Sequence, residues 1–96
     1  MEKSIWKLQL LTTDFQTIEM PADAEILTVQ AQNEEPCIWA LVSPDAPKRK
    51  VSFEIFGTGH PVPENGKRKY IGTYQIKRGL AVFHCFELFR PSNQTK

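Results

Sequence analysis

Cysteine, histidine and glycine are all scarce in this chain, with two, two and five copies among 96 residues. Two isolated cysteines, Cys37 and Cys85, are too few for a cysteine-based zinc site. Both sit inside apolar, strand-like runs, which reads as buried thiols in a reducing compartment, with a disulfide as the alternative. His60 and His84 show no metal-ligand spacing. Gly-x-Ser-x-Gly and His-Glu-x-x-His are missing, and the one adjacent carboxylate pair, Glu34-Glu35, falls in a turn signal. No apolar run approaches the roughly 20 residues that cross a bilayer. The start, Met1 to Lys7, lacks the apolar core of a signal peptide. These absences lead us to expect a cytoplasmic, non-enzymatic protein with no metal, no cofactor and no membrane contact.

Net charge is also small, at +1, but its distribution is uneven. Residues 1–46 carry two basic residues against eight acidic ones, and residues 47–96 carry ten against three. Such a split fits a basic face for an anionic ligand or head-to-tail association of copies. It equally fits a mixed surface, if strands from the two halves interleave.

A hydrophobic fraction of 41% with 24% charged residues excludes a disordered chain. Ninety-six residues make one domain, 1–96, with 89–96 read as a frayed tail. Period-2 alternation marks strands over Ile5–Leu10, Phe15–Met20, Glu25–Gln32 and Val51–Phe56. In the third of these, Leu27, Val29 and Ala31 should point inward. Cys37–Val42 and Leu80–Phe89 are apolar on both faces, as central strands are. Tyr70–Ile76 is rich in β-branched and aromatic residues. Ser43–Lys50 and Gly57–Lys69 read as loops, and Lys77-Arg78-Gly79 as a tight turn. The expectation is all-β, with about seven short antiparallel strands forming a small two-sheet sandwich or barrel. Trp39, Leu41, Phe53, Ile55, Val82 and Phe86 should fill the core.

The Gly57–Lys69 stretch is the most unusual segment. Gly57 and Gly59 flank Thr58, permit a sharp turn and expose amides, as anion-binding nests do. Pro61 and Pro63 stiffen the path beyond His60, and Lys67, Arg68 and Lys69 follow. No Gly-Lys-Ser/Thr follows at P-loop spacing. Tyr70 and Tyr74, four apart on one strand face, lie beside the basic triplet. Aromatic and basic groups together suit a nucleotide-like ligand, with nucleic acid a secondary candidate. The plainer reading is a structural hairpin loop and a strand face covered by tyrosines. His84 shares its face with Val82 and Phe86, as a core or interface histidine would. The candidate binding set is therefore Gly57, Thr58, Gly59, His60, Lys67, Arg68, Lys69, Tyr70 and Tyr74.

Further features run through the chain: Ile5-Trp6-Lys7, Gln16-Thr17-Ile18 with Met20-Pro21, Ala24, Ile26-Leu27, Val29-Gln30 and Cys37–Val42. Phe56-Gly57-Thr58-Gly59-His60-Pro61, Tyr70-Ile71-Gly72-Thr73, Val82-Phe83-His84 and Phe86-Glu87 complete them. On these residues, to about Leu88, the chain resembles a family of short bacteriophage and prophage proteins with no assigned activity. The resemblance implies an accessory protein acting inside an infected bacterium. By analogy it implies a binding protein that antagonises a host factor or defence system, by occupying a host protein or sequestering a nucleotide-like signal. The alternative is a structural or assembly accessory of the phage that forms a homo-oligomer. Association of copies is expected on either reading, because the Tyr70–Ile76 strand has no interior charge or proline to protect an edge.

Overall fold

A computed structural model describes residues 2–89. It contains seven strands: β1 (Ser4–Gln9), β2 (Phe15–Pro21), β3 (Glu25–Gln32), β4 (Glu35–Val42), β5 (Lys48–Gly57), β6 (Lys67–Ile76) and β7 (Ala81–Phe89). They form two antiparallel sheets, ordered β1-β4-β3 and β2-β5-β7-β6, packed as a sandwich and not closed into a barrel. The two strands apolar on both faces, β4 and β7, are interior in their sheets, as expected. Among the described residues no helix is long and apolar enough to cross a membrane. Phe89, expected in the tail, ends β7, and the rest of that expectation, residues 90–96, lies outside the described residues.

The core is built from Leu10, Met20, Val29, Ile38, Val51, Phe53, Ile55, Tyr74 and Cys85. Burial pushes the Cys85 thiol up to about 12, which makes it an inert packing group. Phe53 and Ile55 are inside as expected, but Trp39, Leu41, Val82 and Phe86 are only half-buried. In β4 the inner residues are Ile38, Ala40 and Val42, and in β7 they are Phe83, Cys85 and Glu87. Both strands are apolar on two faces, so their alternation names no inner side.

The two expected loops, Ser43–Lys50 and Gly57–Lys69, are shorter than expected because strand pairing runs further than periodicity suggested. Lys48, Arg49 and Lys50 belong to β5, where they pair with Pro21, Met20 and Glu19. Lys67, Arg68 and Lys69 begin β6, opposite Phe89, Leu88 and Glu87. The loop between β5 and β6 is thus 58–66.

Each edge strand at the junction of the sheets carries an irregularity. Pairing of β3 with β4 shifts between Ile26 and Thr28, which leaves Leu27 exposed instead of inward. Pairing of β6 with β7 shifts between Tyr70 and Gly72. β3 packs against β6 there, and a Cβ on Gly72 would stand 2.8 Å from Val29 Cγ1. Glycine is what lets the two strands approach so closely.

Polar side chains tie the turns together. Asn33 and Glu34 form a two-residue hairpin with φ of 53° and 71°. The Glu34 carboxylate reaches the β6–β7 turn and accepts from the backbone N–H groups of Lys77 and Arg78. Asp23, between β2 and β3, accepts from Ser43 Oγ at 2.5 Å and Ser43 N at 3.1 Å. Those bonds, with the nearby Lys3 ammonium, hold its carboxyl below the usual range against a small desolvation effect.

Candidate functional site

The outer face of the four-stranded sheet carries an aromatic cluster. Phe56 of β5, Phe86 of β7 and Tyr70 of β6 meet edge-on, with centroids 5.7 Å (Phe56–Phe86) and 5.5 Å (Tyr70–Phe86) apart. The second irregularity explains why Tyr70 is here. With one extra residue at Ile71, Tyr70 pairs opposite Phe86 and Thr73 opposite His84, while Tyr74 turns inward. The expected common face of Tyr70 and Tyr74 is therefore not observed. Tyr70 is 54% exposed and Tyr74 is 2% exposed. Burial raises the Tyr74 phenol above its ordinary value, and its hydroxyl lies 2.7 Å from Thr12 Oγ1, which opposes that rise.

The loop 58–66 arches over this face. His60 N donates to Gly57 O at 3.0 Å, closing a turn whose third residue, Gly59, has φ of 90°. That conformation is the type II turn, which demands glycine there. The His60 ring folds back on Gly57, where a Cβ would lie 3.1 Å from Cε1 and 3.2 Å from Nδ1. Gly57 is needed for the close approach of the ring.

Beneath the turn, hydrogen bonds link four side chains in a row. Thr58 Oγ1 lies 2.7 Å from His84 Nε2, His84 Nδ1 lies 2.9 Å from Thr73 Oγ1, and Thr73 Oγ1 lies 2.5 Å from the Tyr70 hydroxyl. A hydroxyl–imidazole contact resembles a nucleophile and its base. Here, though, the second ring nitrogen meets a hydroxyl and not the carboxylate that would steady an imidazolium. The row instead anchors the turn to β7 and β6. It also fixes which polar atoms face the space above.

That space is a hollow of about 240 Å³ lined by Phe56, Val62, Tyr70 and Phe86 together with Gly57–His60 and His84. A second hollow of about 380 Å³ adjoins it, lined by Asp14, Phe15, Glu54, Ile55, Pro61 and Pro63, and it shares His60 and Phe56 with the first.

Of the candidate residues, Gly57, Thr58, Gly59, His60 and Tyr70 converge on the smaller hollow. The basic triplet does not form a patch beside it. Arg68 is half-buried, donates to Glu54 Oε1 at 2.8 Å, and holds the loop through Pro63 O at 2.7 Å and Asn65 O at 3.0 Å. Lys67 and Lys69 are exposed and occupy the opposite alternation from Arg68. Phe56, Phe86, Val62 and Thr73 complete the arrangement, although the candidate set held none of them and Phe86 was expected in the core. His84 was legible only as sharing a face with Val82 and Phe86. Among the described residues no three of His, Cys, Asp and Glu gather as metal ligands.

No curated protein and no solved structure matches the chain. One family model does, and its span takes in every strand and loop that builds the two hollows. Over residues 1–96 the chain belongs to the family described as Domain of unknown function (DUF7352).

Proposed function

We propose that this chain is a small non-enzymatic binding domain that docks on a protein through the outer face of its four-stranded sheet. The observation that carries this reading is the aromatic hollow itself. Phe56, Tyr70 and Phe86 stand on a sheet face that no other strand covers among the described residues, and a glycine-dependent turn forms its rim. Exposed aromatic clusters edged by polar groups are a common form of protein-interaction anchor. A nucleotide-like ligand is less well served. Among the described residues none that lines the smaller hollow is lysine or arginine, and the Arg68 guanidinium is engaged by Glu54. In the setting that the family resemblance implies, this is an accessory protein of a bacteriophage or prophage. Its partner is then a host protein inside the bacterium, and its effect is antagonism of that host factor or of a defence system.

A pull-down from bacterial lysate tests this, using the wild type, Val62→Asp and a Lys67→Ala, Lys69→Ala double variant. One host protein should be retained by the wild type and the lysine variant and lost by Val62→Asp. Loss with the lysine variant alone would move the contact to the basic residues. If mono- and cyclic nucleotides raise the melting temperature while no protein is retained, the sequestration reading replaces this one.

A further inference from the structure

We infer that the two adjoining hollows together recognise a short extended segment carrying an aromatic side chain and, within two positions of it, a lysine or arginine. This rests on the protein-docking reading above and names the chemistry of the segment.

The smaller hollow, at about 240 Å³, falls below the roughly 300–1,000 Å³ of sites that enclose a whole drug-sized ligand. It suits one ring. Its walls are the edge-packed rings of Phe56, Tyr70 and Phe86, with Val62 above them. An inserted ring gains further edge-to-face contacts of the same kind.

The larger hollow has a different character. Asp14 and Glu54 both line it, and the other residues around it are aromatic, aliphatic or proline apart from His60. Glu54 is already paired with Arg68. Asp14 is exposed and its carboxylate makes no hydrogen bond or ion pair among the described residues, although its backbone oxygen accepts from Ile55 N at 3.2 Å. That bond holds the Asp14 backbone beside β5, and its carboxylate is open to a cation.

The hollows share His60 and Phe56, so they are direct neighbours. Alternate residues of an extended chain stand roughly 6.5–7 Å apart on one face, so two such side chains can enter adjoining hollows. Complementary charge then sets the register of the aromatic anchor.

The probes are blocked peptides Gly-Trp-Ser-Lys-Gly, Gly-Trp-Ser-Glu-Gly and Gly-Ala-Ser-Lys-Gly, with adenosine monophosphate for comparison. Each is titrated into the isotope-labelled full chain while amide NMR signals are followed. The Trp–Lys peptide should shift Thr58, Gly59, His60, Val62, Tyr70, His84 and Asp14, and should bind at least about fivefold more tightly than the Trp–Glu peptide. Asp14→Asn should bring that ratio to about one. The Ala–Lys peptide should leave the smaller hollow undisturbed.

Equal affinity for the Lys and Glu peptides, or an unchanged ratio in Asp14→Asn, overturns the inference while shifts at Tyr70 and His84 keep the docking reading. If no tryptophan peptide shifts the hollow, both fall. If adenosine monophosphate shifts it at lower concentration than any peptide, the nucleotide reading displaces both.

Discussion

Glu87 shows how one side chain can work against its neighbours. It points inward from β7 and is 8% exposed. Burial raises its carboxyl above the ordinary value, and Arg49 and Lys69 only partly oppose that rise. Its proton is therefore held more tightly in the folded than in the unfolded chain. The contribution to stability is full below the unfolded value, near 4.3, and is lost as pH rises through the raised folded value. Glu87→Gln should consequently unfold at higher urea than the wild type at pH 7, and the advantage should vanish near pH 4. A variant less stable at pH 7 would show that Arg49 and Lys69 outweigh the burial. The tyrosines teach a related lesson about legibility. Tyr70 and Tyr74 look equivalent in sequence, yet one forms the hollow wall and the other is core with its hydroxyl against Thr12. The difference is one extra residue in β6, and strand alternation cannot register that without the partner strand.

The same irregularity governs how the elements meet. Gly72 follows the extra residue and lies against Val29 of β3, where the two sheets join. Val29 is 2% exposed and β-branched, so it has little freedom to turn aside. Gly72→Ala should cost about 1–3 kcal/mol, the usual range for overpacking. Val29→Ala removes the obstructing methyl groups, so the double variant should lose less than the sum of the two single losses. A double-mutant cycle from urea unfolding measures that coupling. Strict additivity would mean that β3 and β6 adjust separately and that the close approach is incidental. Seven strands and their order along the chain were legible because alternation and turn residues are local properties. The inner faces of β4 and β7 were not, since Trp39 and Leu41 compete with Ile38, Ala40 and Val42, and Val82 and Phe86 with Phe83 and Cys85. The extents of β5 and β6 were also hidden, because their basic triplets are held by pairing with β2 and β7 and carry no strand propensity of their own.

At the scale of the whole molecule, the fold preserves much of the charge split instead of mixing it. β1, β3 and β4 all come from the acidic half, and three of the four strands in the other sheet come from the basic half. The expected unprotected edge, β6, has β3 packed against it, so among the described residues the edges without a neighbouring strand are β1 and β2. β1 is flanked by Lys3 and carries Lys7, whose ammonium bonds Gln32 Oε1 at 2.7 Å, while β2 carries Glu19 and ends in Pro21. Charge and proline are the usual guards against edge pairing. Any association of copies should therefore use the aromatic outer face, where it competes with the partner for the same residues. Sedimentation of the wild type should show a monomer in concentration-dependent exchange with a dimer at tens of micromolar. Val62→Asp, which places a charge at the rim of the smaller hollow, should remain monomeric throughout. A dimer unaffected by Val62→Asp would place the interface on β1 or β2 and separate self-association from docking. A strict monomer in both would remove the homo-oligomer and leave the aromatic face to the partner alone.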